Sequence, residues 1–143
     1  MGGYHGLGPR RSLGARQVLI KGSLAKNAPM AYFPNMQIVR TSLYVRDMKR
    51  LGASSTDMAR LEAEIALNPQ AGVVIPGLMG LRKLRFALGN KGKRGGGRAI
   101  YFLMVSDDVA VLIFAYSKST QEDLTTEQRR VALALLKEMT DGR

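Results

Sequence analysis

The chain of 143 residues has no cysteine and a single histidine, His5. The first absence excludes disulfides and any zinc–thiolate framework. The second argues against a Ser-His-Asp triad or a histidine metal site, so no metal and no cofactor is implied. No apolar run approaches the ~18 residues of a spanning helix, and no apolar core followed by a cleavage site marks an export signal. A cytoplasmic location, reducing and cysteine-tolerant, is the expectation. Acids are also scarce: 11 Asp and Glu stand against 22 Lys and Arg, giving a net charge of +11. That excess concerns partners rather than fold, with nucleic acid the first candidate and an anionic membrane surface the second.

The missing acids are unevenly distributed. Residues 1–35 contain none, while Gly, Pro and Asn abound beside Arg10, Arg11, Arg16, Lys21 and Lys26. This stretch reads as a basic, disordered leader, as an over-extended start ahead of Met30 or Met36, or as an arm that grips nucleic acid. Residues 36–143 have ordinary globular composition and suffice for one domain.

Within that domain, Met36 to Val39 can start a short strand. Thr41 to Leu51 reads as a helix, with Leu43, Asp47 and Leu51 spaced by four. Ser54 and Asp57 form a capping box opening a second helix, striped by Met58, Leu61 and Ile65 and stopped by Asn68-Pro69. Gln70 to Gly80 reads as an irregular connection. Leu81 to Leu88 alternates: Leu84, Phe86 and Leu88 fall on one face, Lys83 and Arg85 on the other. Gly89 to Gly97 is a Gly-rich basic hairpin loop, Ala99 to Val105 the next strand, and Asp107-Asp108 a turn. Val109 to Tyr116 is apolar at nearly every position, as expected of a central strand covered on both faces. Thr125 with Gln128 caps a last helix whose packing face contains Val131, Leu135 and Met139, flanked by Ala132 and Leu136. The expected fold is α+β: a small antiparallel sheet with two N-terminal helices and one C-terminal helix, the helices covering one side.

The second acid-free run, Gly80 to Phe102, carries the function. It holds Arg82, Lys83, Arg85, Lys91, Lys93, Arg94 and Arg98 between apolar flanks. The loop lacks the G-x-x-x-x-G-K-[ST] pattern of a nucleotide-binding loop and is followed by no helix. It also matches the KH pattern poorly, because it joins strands rather than helices, and the RNP1 pattern poorly, having Gly96 and Arg98 where bases would stack on aromatics. Two readings remain for the strand cations. They are either a solvated sheet face or a phosphate-binding surface, and like charges this close repel unless they spread into water or meet an anion. Such a surface could cut RNA without metal. It would orient the 2′-hydroxyl, take up its proton, stabilise the phosphorane charge and protonate the leaving 5′-oxygen.

The runs NPQAGVVIPGLMGLRKLRFALGNKGKRGGGRAIYF and LIFAYSKSTQEDLTTEQ resemble the RelE/ParE superfamily of bacterial type II toxins, and most closely its HigB-like branch. The resemblance covers about Gln37 to Met139. It implies the RelE-like toxin fold and a ribosome-dependent mRNA endonuclease, or mRNA interferase. Its partners would be mRNA in the ribosomal A site, the ribosome and a cognate helix-turn-helix antitoxin. A ParE-type inhibitor of DNA gyrase, or a non-catalytic homologue that only binds nucleic acid or antitoxin, are the alternatives. Carried over by position, the catalytic candidates are Lys83, Arg85, Arg98, Lys118, Tyr101 and Tyr116. Arg82, Lys91, Lys93 and Arg94 are the candidates for holding RNA or the ribosome. The chain departs from the branch at Ser119 and Thr120, where Asn-Glu is usual, and lacks the late tyrosine of RelE, so the general acid is unassigned. Strict alternation also sets Arg98 with Ile100 rather than Tyr101, unless a bulge re-aims one of them.

Overall fold

A computed structural model describes residues 36–89, 95–104 and 108–141; the leader of residues 1–35 lies outside them. In chain order the described elements are β1 (Gln37–Arg40), α1 (Ser42–Leu51), α2 (Ser55–Leu67), β2 (Val73–Val74), β3 (Arg82–Phe86), β4 (Gly97–Leu103), β5 (Val109–Ser117) and α3 (Thr126–Asp141). The α+β class and the sequence of main elements agree with the expectation.

Local chemistry sets the helix ends. Thr41 Oγ1 accepts from the Tyr44 N–H at 3.1 Å to start α1, and Gly52 closes it at φ +73°, a conformation open to glycine. Ser54 and Asp57 make both bonds of their capping box, each at 3.0 Å. Thr125 and Gln128 do the same ahead of α3, at 2.9 and 3.0 Å.

The strands form one sheet in the order β1-β5-β4-β3-β2. The β3-β4-β5 meander is antiparallel, as expected, but β1 joins the edge parallel to β5, so the sheet is mixed. A parallel partner is reached only through a long crossover, here two helices and three strands, and leaves no local sequence signal. β2, a two-residue strand pairing Val73 with Lys83 and Val74 with Arg82, lies in the stretch that reads as irregular.

Helices cover both sides of the sheet, not one. On the first side Tyr44 and Met48 of α1 and Leu61 and Ile65 of α2 pack on Leu84, Phe86, Tyr101 and Leu112. On the second, Ala132 and Leu136 of α3 share a cluster with Ile100, Val111, Ile113 and Phe114. An all-apolar β5 needs this second layer, because each fully buried Leu, Ile or Phe stabilises by about 1.5–3 kcal/mol only if its side of the sheet is dry. The buried face of α3 is centred on Ala132 and Leu136, while Val131, Leu135 and Met139 stay half-buried.

One irregularity positions the site. The β4–β5 register steps from Ile100↔Phe114 to Tyr101↔Leu112, leaving Ile113 as an extra residue on β5. The bulge inverts the facing of the later β5 residues, so Ile113 and Phe114 both join the α3 side and Tyr116 goes with them. Thr41 Oγ1 donates to the Leu112 carbonyl at 2.8 Å, beside the bulge. Beyond the end of β1, Asp47 Oδ2 accepts from the Ala115 N–H at 3.1 Å, satisfying a buried donor that β1 is too short to reach.

Candidate nucleic-acid interface

On β3, Leu84 and Phe86 turn into the α1/α2 side, so Lys83 and Arg85 take the α3 side. Arg85 is directly opposite Arg98 of β4, and Arg98 is opposite Tyr116 of β5. Three adjacent strands thus bring two guanidinium groups and a phenol into one row. Lys83 lies further along β3, opposite Ile100.

The row is graded in burial. Arg85 is exposed, whereas Arg98 is only 6 % exposed and donates from Nη1 to the Gly97 carbonyl at 3.1 Å. Burial, and then the charge of Arg85, draw the Arg98 guanidinium below the usual arginine pKa, with Tyr116 opposing. Like charges held this close favour an anion between or above them. Tyr116 is 4 % exposed, and its buried hydroxyl has no hydrogen-bond partner among the described residues. Its pKa is pushed up to about 12, chiefly by burial and secondly by Asp123, while Arg98 and Arg129 pull the other way. At neutral pH the group is therefore a phenol, able to donate a proton but not to accept one as a base.

Two features of the site escape the sequence reading: the turning of Tyr116 toward Arg98, and Asp123. Asp123, between β5 and α3, approaches Lys83 Nζ with Oδ1 at 3.4 Å. Its Oδ2 is 3.9 Å from Arg129 Nη2, on the first turns of α3. The β3–β4 hairpin has no acid of its own, but one is delivered from 40 residues away. The available signal was the Glu122-Asp123 pair immediately before a capped helix carrying Arg129 and Arg130. Side chains hold this segment in place: Gln121 Nε2 donates to the Asp123 carbonyl at 2.7 Å and to Gln128 Oε1 at 2.9 Å.

The other sequence-predicted residues are distributed as follows. Lys118 is exposed, and its N–H donates to the Gly96 carbonyl at 3.2 Å, which sets it at the same end of the sheet as Arg98. Tyr101 is not brought to the cluster. It lies on the α1/α2 side, fully buried, with its hydroxyl donating to the Pro69 carbonyl at 2.7 Å and accepting from the Gly72 N–H at 2.9 Å. The bulge that could have re-aimed it is on β5, where it turns Tyr116 instead. Arg82 shares that outcome: it pairs opposite Tyr101 and donates to the Gly72 carbonyl at 2.7 Å and the Gln70 carbonyl at 3.3 Å. Lys91, Lys93 and Arg94 lie outside the described residues.

The assembled groups are donors with one acid, Asp123, whose Oδ1 also accepts from the Leu124 N–H at 3.2 Å. Arginine forks and a neutral phenol match the oxygens of a phosphodiester, and charge-assisted bonds of this kind are about twice as strong as neutral ones. Among the described residues no group of three or more His, Cys, Asp or Glu is placed to hold a metal ion, and no helix is long and apolar enough to cross a membrane.

No family model matches the chain. Among solved structures it is similar to a variant of the E. coli toxin RelE in the free state, with a TM-score of 0.39 and 20% identity over 65% of this chain and 90% of that one.

Proposed function

We propose that this chain is the toxin of a type II toxin–antitoxin pair and cuts mRNA in the ribosomal A site. The observation that carries the reading is the Arg85–Arg98–Tyr116 row with Lys83 beside it, on the strands whose sequence resembles the RelE/ParE toxins. Arg98, buried and fixed by the Gly97 carbonyl, clamps the scissile phosphate. Arg85, exposed, meets the incoming strand and shares the phosphorane charge. The 2′-oxygen forms a bond to phosphorus as the bond to the 5′-oxygen breaks, leaving a 2′,3′-cyclic phosphate and a free 5′-hydroxyl. Lys83, after losing a proton to solvent, takes the 2′-proton as the new bond forms. Tyr116, un-ionised with a pKa of about 12, donates to a phosphoryl oxygen or to the departing 5′-oxygen. Lys118 adds a cation at the same end of the sheet. A helix-turn-helix antitoxin would neutralise the toxin.

Induction in a bacterial host tests the reading. Expression should arrest growth and fragment mRNA before any DNA break appears, and Lys83→Ala and Arg98→Ala should each relieve the arrest. Early DNA breakage with intact mRNA would assign the chain to the gyrase-inhibiting group instead.

A further inference from the structure

The proposed site contains an anion of its own. Asp123 sets one carboxylate oxygen 3.4 Å from Lys83 Nζ and the other 3.9 Å from Arg129 Nη2, and its side chain is about half exposed, at 53%. Both distances are longer than a tight charge-assisted bond, so neither cation is locked. The backbone behind the carboxylate is nevertheless held: the Asp123 carbonyl accepts from Gln121, which also binds Gln128 in the cap of α3. The charge of Asp123 also helps, after burial, to raise the pKa of the Tyr116 hydroxyl.

We propose that Asp123 is an electrostatic gate, a built-in carboxylate that competes with RNA phosphate for Lys83 and Arg129. This rests on the site being an RNA interface, as argued above. An incoming phosphate takes over both cations only by displacing the carboxylate. The displaced acid then repels the next phosphate, since like charges at a few ångströms are unfavourable at any protein dielectric. The consequence is weak capture of free single-stranded RNA, with the site filled only where other contacts hold the strand in place.

The test is equilibrium binding of a short fluorescent single-stranded RNA to the full chain, across a salt series. Asp123→Asn should bind about five to ten times more tightly than wild type at low salt, the effect of freeing two cations for phosphate. Its log–log salt dependence should steepen by about 0.7 for each additional phosphate it engages. Asp123→Glu should restore the wild-type value, and the tighter binding should vanish in the Lys83→Ala/Asp123→Asn double variant. Asp141→Asn makes the same change in net charge at the far end of α3 and should move affinity less than about twofold, its charge being screened over that distance. An Asp123→Asn affinity equal to that of Asp141→Asn, or tighter binding that survives loss of Lys83, overturns the gate. In either case wild-type binding that still depends on Arg98 leaves the RNA interface standing. Wild-type affinity insensitive to both Lys83→Ala and Arg98→Ala overturns the interface and the gate with it.

Discussion

Replacing Tyr116 with phenylalanine should stabilise the protein while impairing its activity. The hydroxyl is buried, belongs to a residue only 4 % exposed, and has no hydrogen-bond partner among the described residues. In the unfolded chain the same hydroxyl is hydrated, so folding costs about 1–3 kcal/mol of uncompensated desolvation. Phenylalanine keeps the ring contacts with the α3-side cluster and removes that cost. For a domain of this size each 1 kcal/mol moves the melting temperature by about 3–5 °C, so a rise of several degrees is expected at neutral pH. Titration supplies a second signature. The folded pKa of Tyr116 is raised to about 12, above the unfolded value near 10. Stability linked to this phenol is therefore complete below about pH 10 and is lost as pH climbs toward 12, because the unfolded chain ionises first. Phenylalanine has no proton to lose, so the advantage of Tyr116→Phe over wild type should widen between pH 10 and 12. Calorimetry at pH 7 and about pH 11, beside RNA cleavage at pH 7, reads all three quantities. A variant that melts below wild type at pH 7 would refute the orphaned hydroxyl, and with it the claim that the site is built around a donor awaiting an anion.

Three further outcomes concern the framework that holds the site. Arg40 and Glu62 form a buried two-bond pair at 2.7 and 2.9 Å, in which burial pushes the Glu62 carboxyl up and Arg40 pulls it back. Glu62→Gln removes the carboxylate charge paired with the buried Arg40 and should cost about 3–5 kcal/mol in denaturant unfolding. Gly97→Ala sets a methyl 2.5 Å from the Phe86 ring and 3.2 Å from the Tyr116 carbonyl. Overpacking there should cost about 1–3 kcal/mol, seen as a lower unfolding midpoint. Asp57 is held below the usual carboxylate pKa, first by the Ser54 N–H, with burial opposing and the Gly89 N–H adding. Its contribution is present above the unfolded value near 4 and lost as pH falls through the lower folded value, so Asp57→Asn should flatten the acid limb of stability measured by circular dichroism.

Much of the scaffold is legible because its causes are local. The Ser54–Asp57 and Thr125–Gln128 boxes join residues three apart, and the alternation of Lys83, Leu84, Arg85 and Phe86 is the pleat itself. That alternation also separates the outward cations from the core row. The hidden features depend on distant partners. The pairing of β1 with β5 leaves no mark in either segment. The bulge at Ile113 turns Tyr116 to the side of the cations, and nothing in the uniformly apolar VAVLIFAY run shows where facing inverts, whereas Tyr101 faces away by the plain alternation of β4. Tyr101 and Arg82 look functional by type and position, yet their polar ends fasten the segment from Pro69 to Gly72. Asp123 looks like one acid of a loop until the fold brings it to Lys83.

The most direct test of the central claim is translation with purified ribosomes and a defined mRNA. Wild-type protein should cut within the A-site codon only when ribosomes are present, leaving 2′,3′-cyclic phosphate ends. Arg98→Ala, with its circular dichroism unchanged, should cut about 10²–10³ times more slowly, the loss expected when one preorganised donor to a transition-state oxyanion is removed. Undiminished cleavage by Arg98→Ala, or no ribosome-dependent cleavage by the wild-type chain, would contradict it.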